Sequence, residues 1–152
     1  MELGKLAIQE MNIKDLDEVL TIENSSSLTP WSKNIFIKEM QNQLTHCYII
    51  KTDSQTKHSV IGFICFQNIK YESELHNICV HPLYRQLGMG RIMMQFYIDF
   101  CIPIGIKTFY LEVHSSNQSA IHLYQYFSYQ SFWTRKKFYQ EKFDALLMMR
   151  KV

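Results

Sequence analysis

The chain has 152 residues, 47% of them hydrophobic and 20% charged, which is the size and composition of one folded domain and excludes a disordered chain. A formal net charge of +2 excludes a nucleic-acid binder that works by phosphate neutralisation alone, so no direct nucleic-acid partner is expected and any basic patch must be local. Apolar runs such as VIGFICF and CYII are strand-length, and charges run through the first twenty residues, so the reading is a soluble, cytoplasmic protein with no membrane partner.

Periodicity divides the chain into elements. KLAIQEM reads as a first strand. Asn12 is a candidate N-cap with Asp15 three residues on, and IKDLDEVLTIE spaces Ile13, Leu16, Val19, Leu20 and Glu23 as a helix does. The loop SSSLTPWS ends at Ser32, which caps the helix KNIFIKEMQNQ. HCYIIKT, SVIGFICFQ and YESELHNICVHP follow as strands, and the short joints DSQTKH and NIK suit an antiparallel meander.

Met89 to about Cys101 predicts an amphipathic helix, stopped by Pro103 and Gly105. KTFYLEV is the next strand, and strand, helix, strand in that order implies a right-handed parallel crossover. SSNQSAIHLYQYF opens with capping residues and carries Ala120, Leu123, Tyr124 and Phe127 at helical spacing. YQSFWTRKKFY and FDALLMMRK close the chain as two strands about the turn QEK. The expected fold class is α+β, a mixed and mostly antiparallel sheet of about seven strands flanked by about four helices, in a single domain over residues 1–152.

Cys47, Cys65, Cys79 and Cys101 are widely spaced without a CxxC pair, and the six histidines lack ligand spacing. Buried free thiols and no metal are the expectation.

In HPLYRQLGMGR, residues 81–91, two of the chain's five glycines stand one residue apart between Arg85 and Arg91. A glycine turn that leaves a strand at Val80 and enters a helix brings backbone N–H groups close to an anion, with the helix N-terminus behind them. Phosphate or pyrophosphate is the natural guest. Met93 stands where G-x-G-x-x-G needs glycine, and no G-K-[ST] follows, so the ligand is neither a dinucleotide nor a nucleoside triphosphate.

RQLGMG at 85–90 resembles the Q/R-x-x-G-x-G/A loop of the GCN5-related N-acetyltransferases, the GNAT superfamily, which bind acetyl-coenzyme A. LHNICVHPLYRQLGMGR, LEVHSSNQSAIHLY and IENSSSLTPWS together resemble its RimI branch, the ribosomal-protein-alanine N-acetyltransferases, from about Ile8 to Met149. The resemblance implies a GNAT-type fold and acetyl-CoA as cosubstrate. Ile78, Cys79 and Val80 would offer backbone groups to the pantetheine arm and thioester. Gln86, Leu87, Gly88, Met89, Gly90 and Arg91 would cradle the pyrophosphate, while the side chains of Arg85 and Arg91 are either phosphate contacts or solvated charges.

Glu112 sits between Leu111 and Val113 on a strand, so its carboxylate lies on the face opposite theirs. Read without context it is an ordinary surface Glu; the resemblance makes it the proton acceptor, directly or through water, for an amine that is largely protonated at neutral pH. Asn117 begins a helix and would both cap it and bind coenzyme A. Tyr124 follows Glu112 by twelve residues and would be the acid for the departing thiolate, though on an apolar helix face it also reads as core. Trp31 would line the acceptor groove, with Tyr139 and Glu23 as lesser candidates. Transfer would be direct, in a ternary complex, with Cys79 a core thiol and not a nucleophile.

This chain departs from the pattern in two places: Phe127-Ser128-Tyr129 stands where L-G-F is usual, and the connection FYQEKFDA is short. The implied activity is acetylation of an N-terminal alanine on a ribosomal protein, a protein partner with a free N-terminal amine. A lysine side chain, another protein N-terminus or a small amine as acceptor stays open, as does a coenzyme A-binding regulatory module without turnover.

Overall fold

A computed structural model of the chain describes residues 3–54, 59–139 and 142–152. Among these residues seven strands, β1 (Leu6–Glu10), β2 (Thr45–Thr52), β3 (Val60–Ile69), β4 (Glu72–Val80), β5 (Thr108–His114), β6 (Gln130–Tyr139) and β7 (Phe143–Lys151), are hydrogen-bonded in the order β1-β2-β3-β4-β5-β7-β6. Four α-helices among the described residues, α1 (Leu16–Ser26), α2 (Lys33–Gln41), α3 (Met89–Cys101) and α4 (Gln118–Tyr126), complete the expected α+β class. The chain divides into two compact units, Met1–Gln67 with His76–Met93, and Asn68–Leu75 with Met94–Val152.

In the first unit β1 and β2 pair antiparallel, as do β2 and β3. The meander read from the sequence is present, with a tighter joint after β3: that strand runs through Ile69, and Lys70, at φ 53°, turns the chain with Tyr71. The helix expected from Ile13 opens as a 3-10 turn, Ile13–Asp15, whose Asp15 carboxylate accepts from the Asn12 N–H at 3.0 Å. α1 then outruns the expected Glu23 by three residues. Ser25 and Ser26, which read as loop, continue the helix, with Ser25 Oγ donating to the Ile22 carbonyl at 2.8 Å. Ser32 caps α2 as expected, its Oγ accepting from Ile35 N–H. Leu16, Val19, Ile22, Phe36, Ile49, Phe63 and Cys65 form the core of this unit.

In the second unit Glu72–Leu75 of β4 pairs parallel with Thr108–Leu111 of β5, the product of the α3 crossover. β7 then pairs antiparallel with β5 on one side and β6 on the other. The last strand of the chain is therefore interior and β6 is at the edge. β5 alternates half-buried and buried along its whole length, Phe109, Leu111 and Val113 being buried. On α4 the buried positions are Ile121 and Tyr124.

Candidate active site

The first unit carries the strand end and the glycine turn. The ladder of β4 with β5 stops at Leu75, and the remaining residues of β4, His76 to Val80, lose the in-and-out alternation and are all half-buried. Ile78, Cys79 and Val80 lie in that segment. Gly62 of the neighbouring β3 explains how closely it is approached: a Cβ there would stand 3.0 Å from the Cys79 carbonyl oxygen and 3.0 Å from Met93 Cε. The sequence offered no sign of this glycine's role beyond its place in an apolar strand.

After Val80, the His81 N–H donates to the Ile61 carbonyl at 2.8 Å and a 3-10 turn covers Pro82–Tyr84. Gln86 and Gly88 both take left-handed backbone, φ 61° and 87°. Nothing lies within 4 Å of a Cβ built on Gly88, so glycine is there for its dihedral angle and not for room. Gly90, by contrast, lies within the first turn of α3, and Ile92 N–H is bonded to the Gly88 carbonyl at 3.1 Å. The amides of Met89 and Gly90 belong to the first turn, which has no intrahelical acceptor for them, at the positive end of the helix dipole. Leu87 and Arg91 are exposed. Arg85 Nη2 donates to Ser26 Oγ at 2.5 Å and its Nε to the Val80 carbonyl at 3.4 Å.

Beneath the strand end, Glu23 is 1% exposed. Its Oε2 accepts from the Trp31 N–H and from Asn77 Nδ2, each at 2.9 Å, and Cys79 Sγ donates to Oε1 at 3.4 Å. Burial first, then the Glu23 charge and hydrogen bond, push the Cys79 thiol far above its ordinary range. The thiolate is the reactive form of cysteine, and burial beside a carboxylate disfavours it here. The half-buried Trp31 packs edge-on against Phe36, centroids 5.1 Å apart.

The second unit carries the titratable pair. Glu112 stands on the half-buried face of β5, opposite Leu111 and Val113, and its Oε1 is 3.0 Å from Arg135 Nη2. Asn117 is the N-cap of α4, its Oδ1 accepting from the Ala120 N–H at 3.2 Å. Tyr124, 6% exposed, faces the core of this unit with its ring 5.9 Å from that of Tyr129. Tyr139 ends β6 opposite Phe143; its side chain lies outside the described residues. Among the described residues no group of three or more His, Cys, Asp or Glu side chains is placed to hold a metal.

A glycine turn thus opens a helix after a strand end that has left its ladder, and the sequence comparison decides the family. The acetyltransferase (GNAT) family matches residues 12–129. This chain belongs to that family. The ribosomal protein bS18-alanine N-acetyltransferase of Escherichia coli K12 is 27% identical over 144 residues, 93% of this chain and 94% of its own. The crystal structure of the ribosomal-protein-S18-alanine N-acetyltransferase from Escherichia coli superposes with a TM-score of 0.88 at 26% identity, covering 97% of this chain and 94% of that one. Arabidopsis thaliana NAA60 in complex with acetyl-CoA shares the fold, with a TM-score of 0.86 at 16% identity over 97% of this chain and all of that one. The GNAT chain is thus an acetyl-CoA-dependent N-acetyltransferase with RimI-type relatives.

Proposed function

We propose that this single GNAT domain, residues 1–152, acetylates the N-terminal alanine of a ribosomal protein by direct transfer in a ternary complex. The observation that carries the coenzyme A half is the strand end His76–Val80, half-buried beyond the β5 ladder and leading into the Gly88 turn and the first turn of α3. Backbone groups of Ile78, Cys79 and Val80 align the pantetheine arm and offer an N–H to the thioester oxygen as it gains charge. Backbone amides from Gln86 to Arg91 hold the pyrophosphate. Asn117 spends Oδ1 on its cap and has its amide nitrogen to donate to coenzyme A.

Glu112 takes a proton from the acceptor's ammonium group, directly or through water, and the freed amine attacks the thioester carbonyl carbon. The new bond is C–N and the bond that breaks is C–S; Tyr124 gives its phenolic proton to the departing thiolate, and the second proton of the acceptor nitrogen, shed as the intermediate collapses to the amide, returns to the Tyr124 phenolate directly or through water. The protonated Cys79 supports transfer without an acyl-enzyme. Trp31 and Tyr139 border the acceptor. The bS18 activity of the Escherichia coli relative, aligned over nearly the whole chain, supports the ribosomal acceptor.

The test is acetyl transfer to peptides with a free N-terminal alanine, against internal-lysine peptides and polyamines, together with mass spectrometry of ribosomal-protein N-termini with and without the protein. Preference for the alanine peptide and a lost N-terminal acetyl group are expected; preference for lysine or polyamine overturns the acceptor. Glu112→Gln and Tyr124→Phe should each lower kcat roughly 100-fold with acetyl-CoA binding retained. Parental rates in both variants overturn the assignment of base and acid.

A further inference from the structure

The pair formed by Glu112 and Arg135 is held more closely than its exposure requires. Arg135 is 47% exposed and Glu112 29%, and an ion pair that open to water adds little to folding. Yet the chain spends two irregularities of β6 on it. The register of β6 on β7 shifts between Ser131 and Trp133 and again between Arg135 and Tyr139, isolating Trp133, Thr134 and Arg135 opposite Leu147, Leu146 and Ala145. Such bulges re-aim side chains. Glu112 is paired with the same Leu147 from the other side of β7. Arg135 stands two residues from Trp133, on the same face, opposite the small Ala145, and its Nη2 reaches Glu112 Oε1 at 3.0 Å.

The guanidinium is fixed from a second direction, its Cζ 4.9 Å from the centroid of the Phe138 ring. An aromatic face and a carboxylate together define the plane of an arginine as they would not define a lysine. The contact with Glu112 engages Oε1 through one nitrogen. Among the described residues no cation pairs with Oε2.

We propose that Arg135 is a positioning residue for the proton transfer: it pins one carboxylate oxygen of Glu112 so that the other is presented in a fixed orientation to the amine. The inference rests on Glu112 acting as the base. A carboxylate free to rotate about its last side-chain bonds would spend only part of its time aimed at the amine, and small misplacements of a reacting group are costly.

A double-mutant cycle separates this role from a structural one. Using acetyl-CoA and the acceptor preferred in the assays above, kcat and KM are measured for the parent, Arg135→Ala, Arg135→Lys, Glu112→Gln and the double variant. Arg135→Ala should lower kcat roughly 10-fold with KM for acetyl-CoA unchanged, and Arg135→Lys should restore part of it. In the Glu112→Gln background the same Arg135→Ala change should have almost no effect, because its target is gone. An equal loss of kcat in both backgrounds, a change confined to KM for the acceptor, or an unaltered kcat in Arg135→Ala overturns the role of Arg135 while the base assignment stands. If Glu112→Gln itself is as fast as the parent, both fall.

Discussion

Ser128 follows α4 at the position where a helix most often ends on glycine, and it takes the left-handed conformation that glycine would, φ 69°. Its N–H still donates to the Gln125 carbonyl at 2.9 Å, and Tyr129 N–H to the Tyr124 carbonyl at 3.1 Å, so the closing turn forms with a serine in it. A Cβ on left-handed backbone costs more than the added unfolded-state freedom of glycine gives back. Ser128→Gly should therefore stabilise the protein by about 0.5–1 kcal/mol, seen as a rise of roughly 2 °C in Tm. An unchanged or lower Tm would mean that the serine side chain compensates the strain.

The same scale separates the two loop glycines. Gly88 is needed for its dihedral angle, whereas Gly90 is a helical residue. A one-letter pattern presents them as equals, because backbone torsion is not a property of residue type. Glu112 illustrates the reverse: its face was legible from the alternation of LEV with period two, but its partner Arg135 lies 23 positions later and no local pattern links them.

Among the elements, the buried carboxylate of Glu23 ties α1 to the loop before α2 and to β4, through Trp31, Asn77 and Cys79. All three donors lose their acceptor together if it is removed. Glu23→Ala should cost about 2–4 kcal/mol in urea denaturation, since buried donors without acceptors are expensive; a loss below about 0.5 kcal/mol would show that water replaces the carboxylate. Helical spacing identified Glu23 as one of a row with Leu16 and Val19, but not that it would be a hub, because its donors come from three separate stretches. The same limit hid the overrun of α1, whose last two residues are the serines Ser25 and Ser26 that local pattern reads as loop.

For the whole molecule, the buried thiols and phenols set the response to alkali. Burial pushes the Cys65 thiol well up, its hydrogen bond to Cys47 adding to the effect. Cys101 is pushed up to about 11, again chiefly by burial, with its hydrogen bonds to Asn68 and Ser73 opposing. Cys79, Tyr97 and Tyr129 are raised by burial as well. An unfolded thiol ionises near ~8.5 and an unfolded phenol near ~10. Below those values both states keep the proton and the contribution is fully present; above them the unfolded chain releases protons that the folded one retains, so stability falls as pH rises through the folded values. The urea midpoint under reducing conditions should drop between about pH 8.5 and 10.5, and less steeply in Cys65→Ala than in the parent. A flat profile would contradict the burial of these groups.

Sequence by itself determined the elements and their kinds, since hydrophobic period, caps and turn residues are local properties: Ser32, the two-residue cadence of TFYLEV and the crossover from β4 through α3 to β5 all follow from neighbours along the chain. It also determined the family, because the glycine loop and the stretches around it keep their order. Only the tertiary structure decided that the last strand lies between β5 and β6, that Arg85 donates to Ser26 and the Val80 carbonyl, and that Arg135 meets Glu112 across β7. These depend on long-range pairing, whose closure is settled by the summed burial of many residues and not by any stretch alone.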